Sequence, residues 1–361
     1  MKNTFGQSIT VTLIGESHGP EIGAVLDGVA PGICVDEDYI KACLALRRPY
    51  GKISTARCEA DEFRIVSGVF NGYTTGTPIT ILIPNTNMSS KDYRMLLDLP
   101  RPSHADYTAT CKYRGYQDYR GGGHFSGRIT AALVAAGAII RLALEKKGIR
   151  IATHISRLCG ICDAKITEAD IDLINESTFP VISPDAAAEM EKCILNAKED
   201  GDSVGGILES IVVGIPAGVG EPYFDSMESL LSHMLFSVPG VKGVEFGSGF
   251  ALADMKGSEA NDEFTVAHGE IITKTNNNGG INGGITNGMP ITFRCAVKPT
   301  PSIFKKQGTV RLSEMKDATL EISGRHDPAI IHRARAVVDA AAAIALADML
   351  AVRYGTDWLA N

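Results

Sequence analysis

Arginine, histidine and aspartate side chains crowd around a triple glycine between Arg101 and Arg128. The two runs read Arg101-Pro102-Ser103-His104-Ala105-Asp106-Tyr107 and Asp118-Tyr119-Arg120-Gly121-Gly122-Gly123-His124-Phe125-Ser126-Gly127-Arg128. A glycine-rich turn at a helix start presents backbone N–H groups at the positive end of the helix dipole, which suits an anion. The arginines add charge, and the histidines add a proton that can move near neutral pH. The segment therefore predicts one wall of a site for a phosphorylated or carboxylated ligand.

A second polar turn, Gly15-Glu16-Ser17-His18-Gly19, follows the first predicted strand. As G-x-S-x-G it matches the nucleophile elbow of serine hydrolases, with Asp327 and His332 downstream in hydrolase order. However, an elbow needs earlier strands and an oxyanion loop, and only one short strand precedes this turn. We therefore favour a glycine turn in which Ser17 and His18 point at a ligand, and we keep the hydrolase as the alternative.

The acid–base candidates His18, His104 and Asp327 each have a structural alternative. A lone histidine in a turn is usually structural, but both histidines here lie in long polar motifs. Asp327 precedes Pro328, so it could equally be a helix N-cap with proline at the first helical position. His332 could face solvent on the final helix.

Four arginines are candidates for binding anionic groups. Arg47 and Arg48 lie side by side, and paired guanidinium groups suit phosphate and carboxylates, with surface solvation as the alternative. Arg128 and Arg335 occupy comparable places near the starts of two alanine-rich helices. This placement is expected if each half of the chain lends one arginine to an anionic substrate.

Composition limits the class of protein. The chain has 361 residues, 44% hydrophobic and 21% charged, which fits a soluble globular protein, and its net charge of −7 disfavours a broad nucleic-acid-binding surface. The most apolar stretch, residues 129–144, is interrupted by Arg141, which favours a buried helix over a membrane span.

Eight cysteines are scattered along the chain, and only Cys159 and Cys162 have a metal or redox spacing. We expect reduced thiols, a cytoplasmic protein and no metal site, with zinc or redox chemistry as the alternative.

Two motifs recur in the same order in the two halves of the chain. Gly28-Val29-Ala30-Pro31-Gly32 resembles Gly214-Ile215-Pro216-Ala217-Gly218, and the segment 72–80 matches 284–292 in its Gly, Thr, Gly, Pro, Ile and Thr residues. Each half then ends on an alanine-rich helix, 127–147 and 330–354. We expect two copies of one α+β unit, roughly 1–150 and 200–361, within a single domain. A site would form where the polar stretches of the halves meet.

Short apolar runs predict the strands, which are 8–14, 63–69, 78–84, 207–213 and 290–297. Ser183-Pro184-Asp185 predicts the start of a helix over 186–198, because serine can cap and proline fits the first helical position. Strands and helices are mixed without strict alternation. A layered α+β fold is therefore expected.

Several of these motifs together resemble the chorismate synthase family. The resemblance rests on Gly15–Gly19, Arg101–Thr108, the Arg120–Gly123 run and Gly324-Arg325-His326-Asp327-Pro328. It extends from Phe5-Gly6 to the final helix and includes the two further runs Gly279–Gly284 and Lys298–Ile303.

The resemblance implies conversion of 5-enolpyruvylshikimate-3-phosphate to chorismate and phosphate by a lyase of the shikimate pathway, within aromatic amino acid biosynthesis. It also implies a requirement for reduced FMN, a β-α-β sandwich with pseudo-symmetry, and a homotetramer. From the net charge and the lack of an uninterrupted apolar span, we expect no nucleic-acid or membrane partner. No G-x-G-x-x-G unit or added reductase segment is present, so we expect NADPH to act only through an external flavin reductase.

The family motifs also assign roles. His18, on the turn after the first strand, fits the acid that the departing phosphate needs. By resemblance, His104 protonates or hydrogen-bonds the reduced flavin, and Asp327 helps take the ring proton. The substrate or NADP phosphate contacts would be Ser17, Arg47, Arg48, Arg128 and Arg335. The FMN contacts would be His124, Phe125, Ser126, Gly283, Lys298, Pro299, Thr300, Pro301, Ser302 and Arg325.

The chain departs from the family pattern in three places. His124 follows the triple glycine where arginine is frequent. Pro49-Tyr50-Gly51-Lys52 replaces the usual continuation after Arg48, so Lys52 is only a possible phosphate contact. Pro239-Gly240 replaces an expected flavin-contact pair, which we leave out of the predicted site.

Overall fold

The computed structural model describes residues 2–49, 51–54, 60–86, 95–322 and 327–360. The helices in these ranges are α1 (Glu37–Arg47), α2 (Asp106–Tyr113), α3 (Thr130–Lys146), α4 (Ile171–Glu176), α5 (Pro184–Glu199), α6 (Met227–Leu235), α7 (Gly257–Ala260) and α8 (Ile331–Tyr354). The strands are β1 (Thr4–Phe5), β2 (Thr10–Gly15), β3 (Glu21–Asp27), β4 (Arg64–Ser67), β5 (Val69–Phe70), β6 (Tyr73–Thr74), β7 (Ile79–Pro84), β8 (Arg150–Leu158), β9 (Ile161–Cys162), β10 (Gly206–Val213), β11 (Val241–Phe246), β12 (Phe264–Ala267), β13 (Glu270–Thr273), β14 (Ile281–Asn282), β15 (Ile285–Thr286), β16 (Ile291–Val297), β17 (Gln307–Arg311) and β18 (Lys316–Leu320).

Two five-stranded antiparallel sheets form the outer layers. The first has the order β1-β2-β3-β7-β4, and the second has the order β11-β16-β10-β8-β9. Alternating burial along β7 places Ile79, Ile81 and Ile83 in the core, as the period of two requires. The five main predicted strands are confirmed to within a few residues, although 63–69 divides into β4 and the start of β5.

Helices α3 and α8 form the middle layer. Helix α3 packs on β3 and β7, α8 packs on β8, and the two helices pack on each other. At their crossing, a Cβ added to Gly137 would lie 2.5 Å from the Cβ of Ala340. The small side chains therefore let the helices approach closely, and one core joins both sheets. This arrangement confirms the layered β-α-β sandwich in a single α+β domain.

The two sheets share the connectivity expected of a repeat, since β2-β3-β7-β4 corresponds in order to β8-β10-β16-β11. In the first half of the chain, Thr74 Oγ1 in β6 donates to the carbonyl of Ala30 and accepts from the N–H of Ile33, at 2.6 and 2.9 Å. In the second, Thr286 Oγ1 makes the same pair of bonds with Pro216 and Val219, at 2.7 and 2.9 Å. The threonines of the two recurring Gly-Thr motifs therefore make equivalent hydrogen bonds. The origin of the motifs by duplication stays our proposal.

Capping signals were accurate for α5. The side chain of Ser183 accepts from the N–H of Ala186, and Pro184 is the first helical residue, as predicted. Residues 127–146 are long and apolar enough to cross a membrane by composition alone, but 89% of the most apolar window is buried in the protein. That burial identifies a core helix, as the interruption at Arg141 indicated.

The expectation of reduced thiols is wrong for one pair of cysteines. Cys159 is disulfide-bonded to Cys193 on α5, with a Cα–Cα distance of 6.7 Å. Cys159 and Cys162 have a metal or redox spacing in the sequence, but the fold brings α5 alongside the β8–β9 turn, so Cys193 is the partner of Cys159. Cys162 is an exposed free thiol. Within the described ranges, no group of three or more His, Cys, Asp or Glu residues is placed to hold a metal ion.

Candidate active site

A cavity of about 870 Å³ lies where polar segments of the two halves meet. Its lining within the described ranges contains six lysines and arginines but only two aspartates, although the whole chain carries a net charge of −7. The cations are Lys2, Arg47, Arg101, Arg128, Lys298 and Arg333, and the acids are Asp61 and Asp327. Because cations outnumber acids locally, the cavity favours a polyanionic ligand.

The cavity lining also includes a set of apolar residues, which we call the apolar wall. It is formed by Phe5, Val11, Leu13, Leu133, Met234, Phe236, Val238, Val241 and Val337, with His233 packed edge-on against Phe5. A cavity of this size with one apolar and one charged wall matches the usual form of cofactor and small-molecule sites.

The triple glycine forms a left-handed turn between two histidines. Gly121, Gly122 and Gly123 all have positive φ, at 60, 84 and 54°. A Cβ on Gly121 would lie 2.2 Å from ring atoms of His18, and one on Gly122 would lie 3.2 Å from Cε1 of His104. Glycine is therefore required both for the backbone and for the approach of the two imidazoles. Gly121 and His104 line the cavity, whereas His18 is buried behind Gly121.

Ser17 stabilises this turn through hydrogen bonds. Its hydroxyl lies 3.1 and 3.0 Å from the carbonyls of Arg120 and Gly121, and its N–H donates to Gly123. The side chain is buried and is not among the cavity-lining residues. The hydroxyl proton is directed at backbone carbonyls rather than at a base, which disfavours the hydrolase alternative and makes Ser17 a support for the turn instead of a direct phosphate contact.

His104 is held by a carboxylate that we did not assign in the sequence. Its Nδ1 lies 2.7 Å from Oδ1 of Asp106. Arg101 donates to Asp106 from its backbone N–H, Nε and Nη2, at 3.0, 2.8 and 2.8 Å. Burial opposes ionisation, but the hydrogen bonds from Arg101 and His104 outweigh it and hold the pKa of Asp106 well below its ordinary value.

Arg47 and Arg128 meet at a second unassigned carboxylate, Asp61. Arg47 Nη1 lies 3.2 Å from Asp61 Oδ2, Arg128 Nη1 donates to Oδ1, and the Asp61 side chain is only 1% exposed. Arg47 also donates to Thr130 and to the carbonyl of Gly127, which ties α1 to the start of α3. Both predicted arginines therefore line the cavity with their positions fixed.

Asp327 lines the cavity and accepts a hydrogen bond from Arg333, in the first turn of α8. The N-cap of α8 is Ile330, so the N-cap interpretation of Asp327 is wrong. Asp327 and His104 come from opposite halves of the chain and share this one cavity.

The predicted flavin contacts divide into two groups. His124, Phe125, Ser126 and the run Lys298–Ser302 line the cavity. Gly283 lies in the exposed β14–β15 turn outside it, and Arg325 falls outside the described residues. Lys298 donates from Nζ to the carbonyl of Ser103, which joins this run to the histidine motif, and burial lowers the pKa of its ammonium group.

Two predicted positions on α8 are corrected. Arg335 is completely buried, donates to the carbonyls of Asn175 and Ser177 at 3.3 and 2.7 Å, and does not line the cavity. We therefore withdraw it as a phosphate contact. His332 is 1% exposed, not solvent-facing, and its Nε2 lies 2.8 Å from the hydroxyl of Ser54.

Arg48 and Lys52 also lie away from the cavity. Arg48 donates to the carbonyl of Ala60, and the carbonyl of Lys52 accepts from Lys198 at 2.6 Å. Neither side chain is among the cavity-lining residues, so this structure does not bring them to the arginine pair.

Comparison with known proteins decides the family. The profile of the family described as "Chorismate synthase" matches residues 9–351. A chorismate synthase of Pyrococcus abyssi is 48% identical over 350 residues, which cover 96% of this chain and 97% of the relative. One from Dehalococcoides mccartyi is 46% identical and covers 98% of each chain. A solved structure titled "Crystal Structure of Chorismate Synthase" superposes with a TM-score of 0.74 at 28% identity, covering 97% of this chain and 94% of that one.

The chain belongs to the chorismate synthase family. It is an enzyme with chorismate synthase function in the shikimate pathway, acting on a small-molecule substrate, and the resemblance found in its motifs is confirmed.

The structure also reveals parts of this chorismate synthase site that sequence analysis missed. Ser237 to Val241, which includes the excluded Pro239-Gly240 pair, lines the cavity, as do Asp61 and Arg333. The sequence contained a signal for Asp106, because it lies two residues after His104 in the same motif. It contained none for Asp61, which meets its arginines only through the fold.

Proposed function

We propose that this chorismate synthase is a lyase that eliminates phosphate from 5-enolpyruvylshikimate-3-phosphate in an anti-1,4 sense. The C–O bond to phosphate breaks, a ring C–H bond breaks at the far end of the allylic system, and a second ring double bond forms. The observation that carries the proposal is the single cavity in which His104, Asp327 and a cationic wall meet.

The cationic wall would hold the substrate anions. Arg47 and Arg128 are positioned by Asp61, and Lys298 faces the same cavity. Negative charge grows on the departing phosphate, so cations that are already oriented stabilise the transition state more than the ground state. We keep His18 as the proposed proton donor to that phosphate; because His18 is buried behind Gly121 and does not line the cavity, this role requires the triple-glycine turn to shift.

The opposite end of the reaction requires a base. Asp327 would accept the ring proton, since its carboxylate faces the cavity and Arg333 holds it in place by a hydrogen bond. Nδ1 of His104 is engaged by Asp106, so its exchange of a proton with the ligand would take place at Nε2.

Residues of the cavity also fit the FMN implied by the family. The apolar wall suits a planar ring system, and His124, Phe125, Ser126 and Lys298 to Ser302 would hold the cofactor. Reduced FMN would supply an electron-rich surface that assists the allylic system without net oxidation. We propose that its reducing equivalents come from an external flavin reductase that uses NADPH.

We also propose a cytoplasmic homotetramer. One face of the β12–β13 hairpin exposes Phe264, Val266 and Ile271, at 67, 73 and 71% of their surfaces. Apolar faces of this kind are more typical of subunit interfaces than of free surfaces. Light scattering of the purified protein would test the tetramer.

Phosphate release in an anaerobic assay with dithionite-reduced FMN tests the proposed chemistry. His104→Asn is the informative variant, because asparagine can keep the hydrogen bond to Asp106 but has no group at the Nε2 position. We expect phosphate and chorismate from the wild type and a loss of about 10²–10⁴-fold in the variant. Asp98→Asn, which lies away from the cavity, is the control.

Three outcomes separate the alternatives. FMN binding without phosphate release would indicate a flavin-binding protein that is not a catalyst. Labelling of Ser17 by a fluorophosphonate would favour a hydrolase. Equal turnover by wild type and His104→Asn would remove His104 from the mechanism.

A further inference from the structure

We infer that Asp106 is a positioning residue that fixes the tautomer of His104, so that the proton exchanged with the ligand is carried on Nε2. This inference rests on the role of His104 in the proposed function, but it concerns which ring nitrogen is available and what makes it so.

The hydrogen-bond geometry determines where the Nδ1 proton lies. Oδ1 of Asp106 is 2.7 Å from Nδ1 of His104, and an ionised carboxylate can only accept. Nη2 of Arg101 is 3.1 Å from the same Nδ1, but a guanidinium can only donate. Since the nitrogen cannot both donate and accept in the plane of the ring, the shorter contact with the carboxylate places the proton on Nδ1.

Arg101 keeps the carboxylate of Asp106 ionised, so that it can accept a hydrogen bond from His104. Its backbone N–H and Nε donate to Oδ2, and its Nη2 donates to Oδ1. The Arg101 side chain is 7% exposed, so the pair is screened little by water. The carboxylate therefore stays ionised, as the lowered pKa of Asp106 indicates, while His104 exchanges protons.

The other edge of the ring is the one that carries Nε2. A Cβ placed on Gly122 would lie 3.2 Å from Cε1 and 3.5 Å from Nε2 of His104, so this edge borders the triple-glycine turn. His104 lines the large cavity and Asp106 does not. Asp106 therefore acts through His104 and has no contact with the ligand's space.

The segment that holds Arg101, His104 and Asp106 also contacts the predicted flavin-binding run Lys298–Ser302. Nη1 of Arg101 lies 3.4 Å from the hydroxyl of Ser302, and Lys298 donates to the carbonyl of Ser103. The orientation of His104 is thus fixed relative to residues 298–302, which come from the other half of the chain.

Nitrogen NMR of the histidine side chains tests the inference without any cofactor. In the neutral ring, a protonated nitrogen and an unprotonated one resonate far apart, and the spectrum of His104→Asn assigns the His104 signals. We expect the wild-type protein to carry its proton on Nδ1, with Nε2 unprotonated.

Asp106→Asn should reverse this pattern. The amide oxygen can continue to accept from the backbone N–H and Nε of Arg101, which leaves the NH₂ group facing Nδ1 of His104. An amide NH₂ donates, so Nδ1 must accept and the proton moves to Nε2. We expect kcat to fall by about 10²–10⁴-fold with KM nearly unchanged, as for other catalytic histidines held in the wrong tautomer.

Asp98→Asn is the matched control. Asp98 likewise accepts from an arginine and a backbone N–H, those of Arg311 and Ser313, but it contacts no histidine. The control should leave both the His104 spectrum and kcat unchanged.

Either of two results would overturn the inference: a wild-type His104 with its proton on Nε2, or an unchanged tautomer in folded Asp106→Asn. If that variant does not fold, the wild-type spectrum alone still decides. If the wild type released no phosphate with reduced FMN, the proposed function would fail, and the tautomer result would stand separately.

Discussion

Gly121 lies directly against the imidazole of His18, so close that a Cβ on this glycine would be 2.2 Å from both Cε1 and Nδ1 of the ring. The glycine borders the cavity and the histidine lies behind it. Only a hydrogen atom fits at this position, so any larger side chain would displace the His18 imidazole.

Gly121→Ala should consequently displace His18. We expect a loss of about 10²-fold in kcat, since small misplacements of a catalytic group have effects of this size. Gly115→Ala is the control, because Gly115 also has a positive φ, 81°, but nothing lies within 4 Å of its added Cβ. Both variants should lose roughly 1–2 kcal/mol of unfolding free energy from the backbone, and only Gly121→Ala should lose activity. Equal activities would mean that the close packing is irrelevant to catalysis.

Asp61→Asn should leave the repulsion between the guanidinium groups of Arg47 and Arg128 uncompensated. The carboxylate is almost fully buried between them, so its removal should lower the free energy of unfolding by about 3 kcal/mol. Inorganic phosphate should then raise the Tm of the variant more than that of the wild type, because an added anion replaces the lost charge. Asp172→Asn, at the exposed ion pair with Arg150, should change stability by less than about 1 kcal/mol. An Asp61→Asn protein as stable as the wild type would contradict the bridging role.

Local patterns in the sequence were sufficient for much of the fold. Alternation located β2, β7, β10 and β16, and Ser183-Pro184 located the start of α5, because these signals depend on near neighbours. The motif residues His104, Arg128 and Lys298 were likewise found at the cavity.

The errors came from contacts made only by the fold. Arg335 matches Arg128 in its position before an alanine-rich helix, but α8 is buried on every side along most of its length. A helix of that kind has no polar face, so its sequence could not show that Arg335 points away from the cavity. The bond between Cys159 and Cys193 was missed for the same reason.

Reduction of the disulfide should destabilise the protein. The bond closes a loop with a sequence separation of 34 residues, for which chain entropy predicts roughly 3–4 kcal/mol. Urea unfolding with and without dithiothreitol measures this loss of stability, and Cys162→Ser is the control that leaves the bond intact.

The oxidised, denatured protein should also show two fewer reactive thiols than its eight cysteines. A full set of eight thiols in protein purified without reductant would rule the bond out. Because stable disulfides are rare in the cytosol of mesophiles, the same count bears on the compartment.

His332 should make stability depend on pH. Burial, together with the positive charge of Arg333, lowers its pKa to about 3, so the folded state excludes a proton that the unfolded state binds below a pKa of about 6.5. Stability from this group is therefore complete above pH 7 and is lost as the pH falls. Between pH 7 and 5 the loss should be about 2 kcal/mol. His332→Gln can keep the contact with Ser54 but does not titrate, so urea unfolding should show a smaller loss for it by that amount. Parallel curves for the two proteins would contradict the assignment.

The dependence of turnover on the redox state of the flavin tests the proposed chemistry most directly. Chorismate and phosphate should be measured together, under anaerobic conditions, with FMN either oxidised or reduced by dithionite. We predict equal amounts of the two products with reduced FMN and none with oxidised FMN alone. Full activity in air with oxidised FMN and no reductant would contradict the proposal.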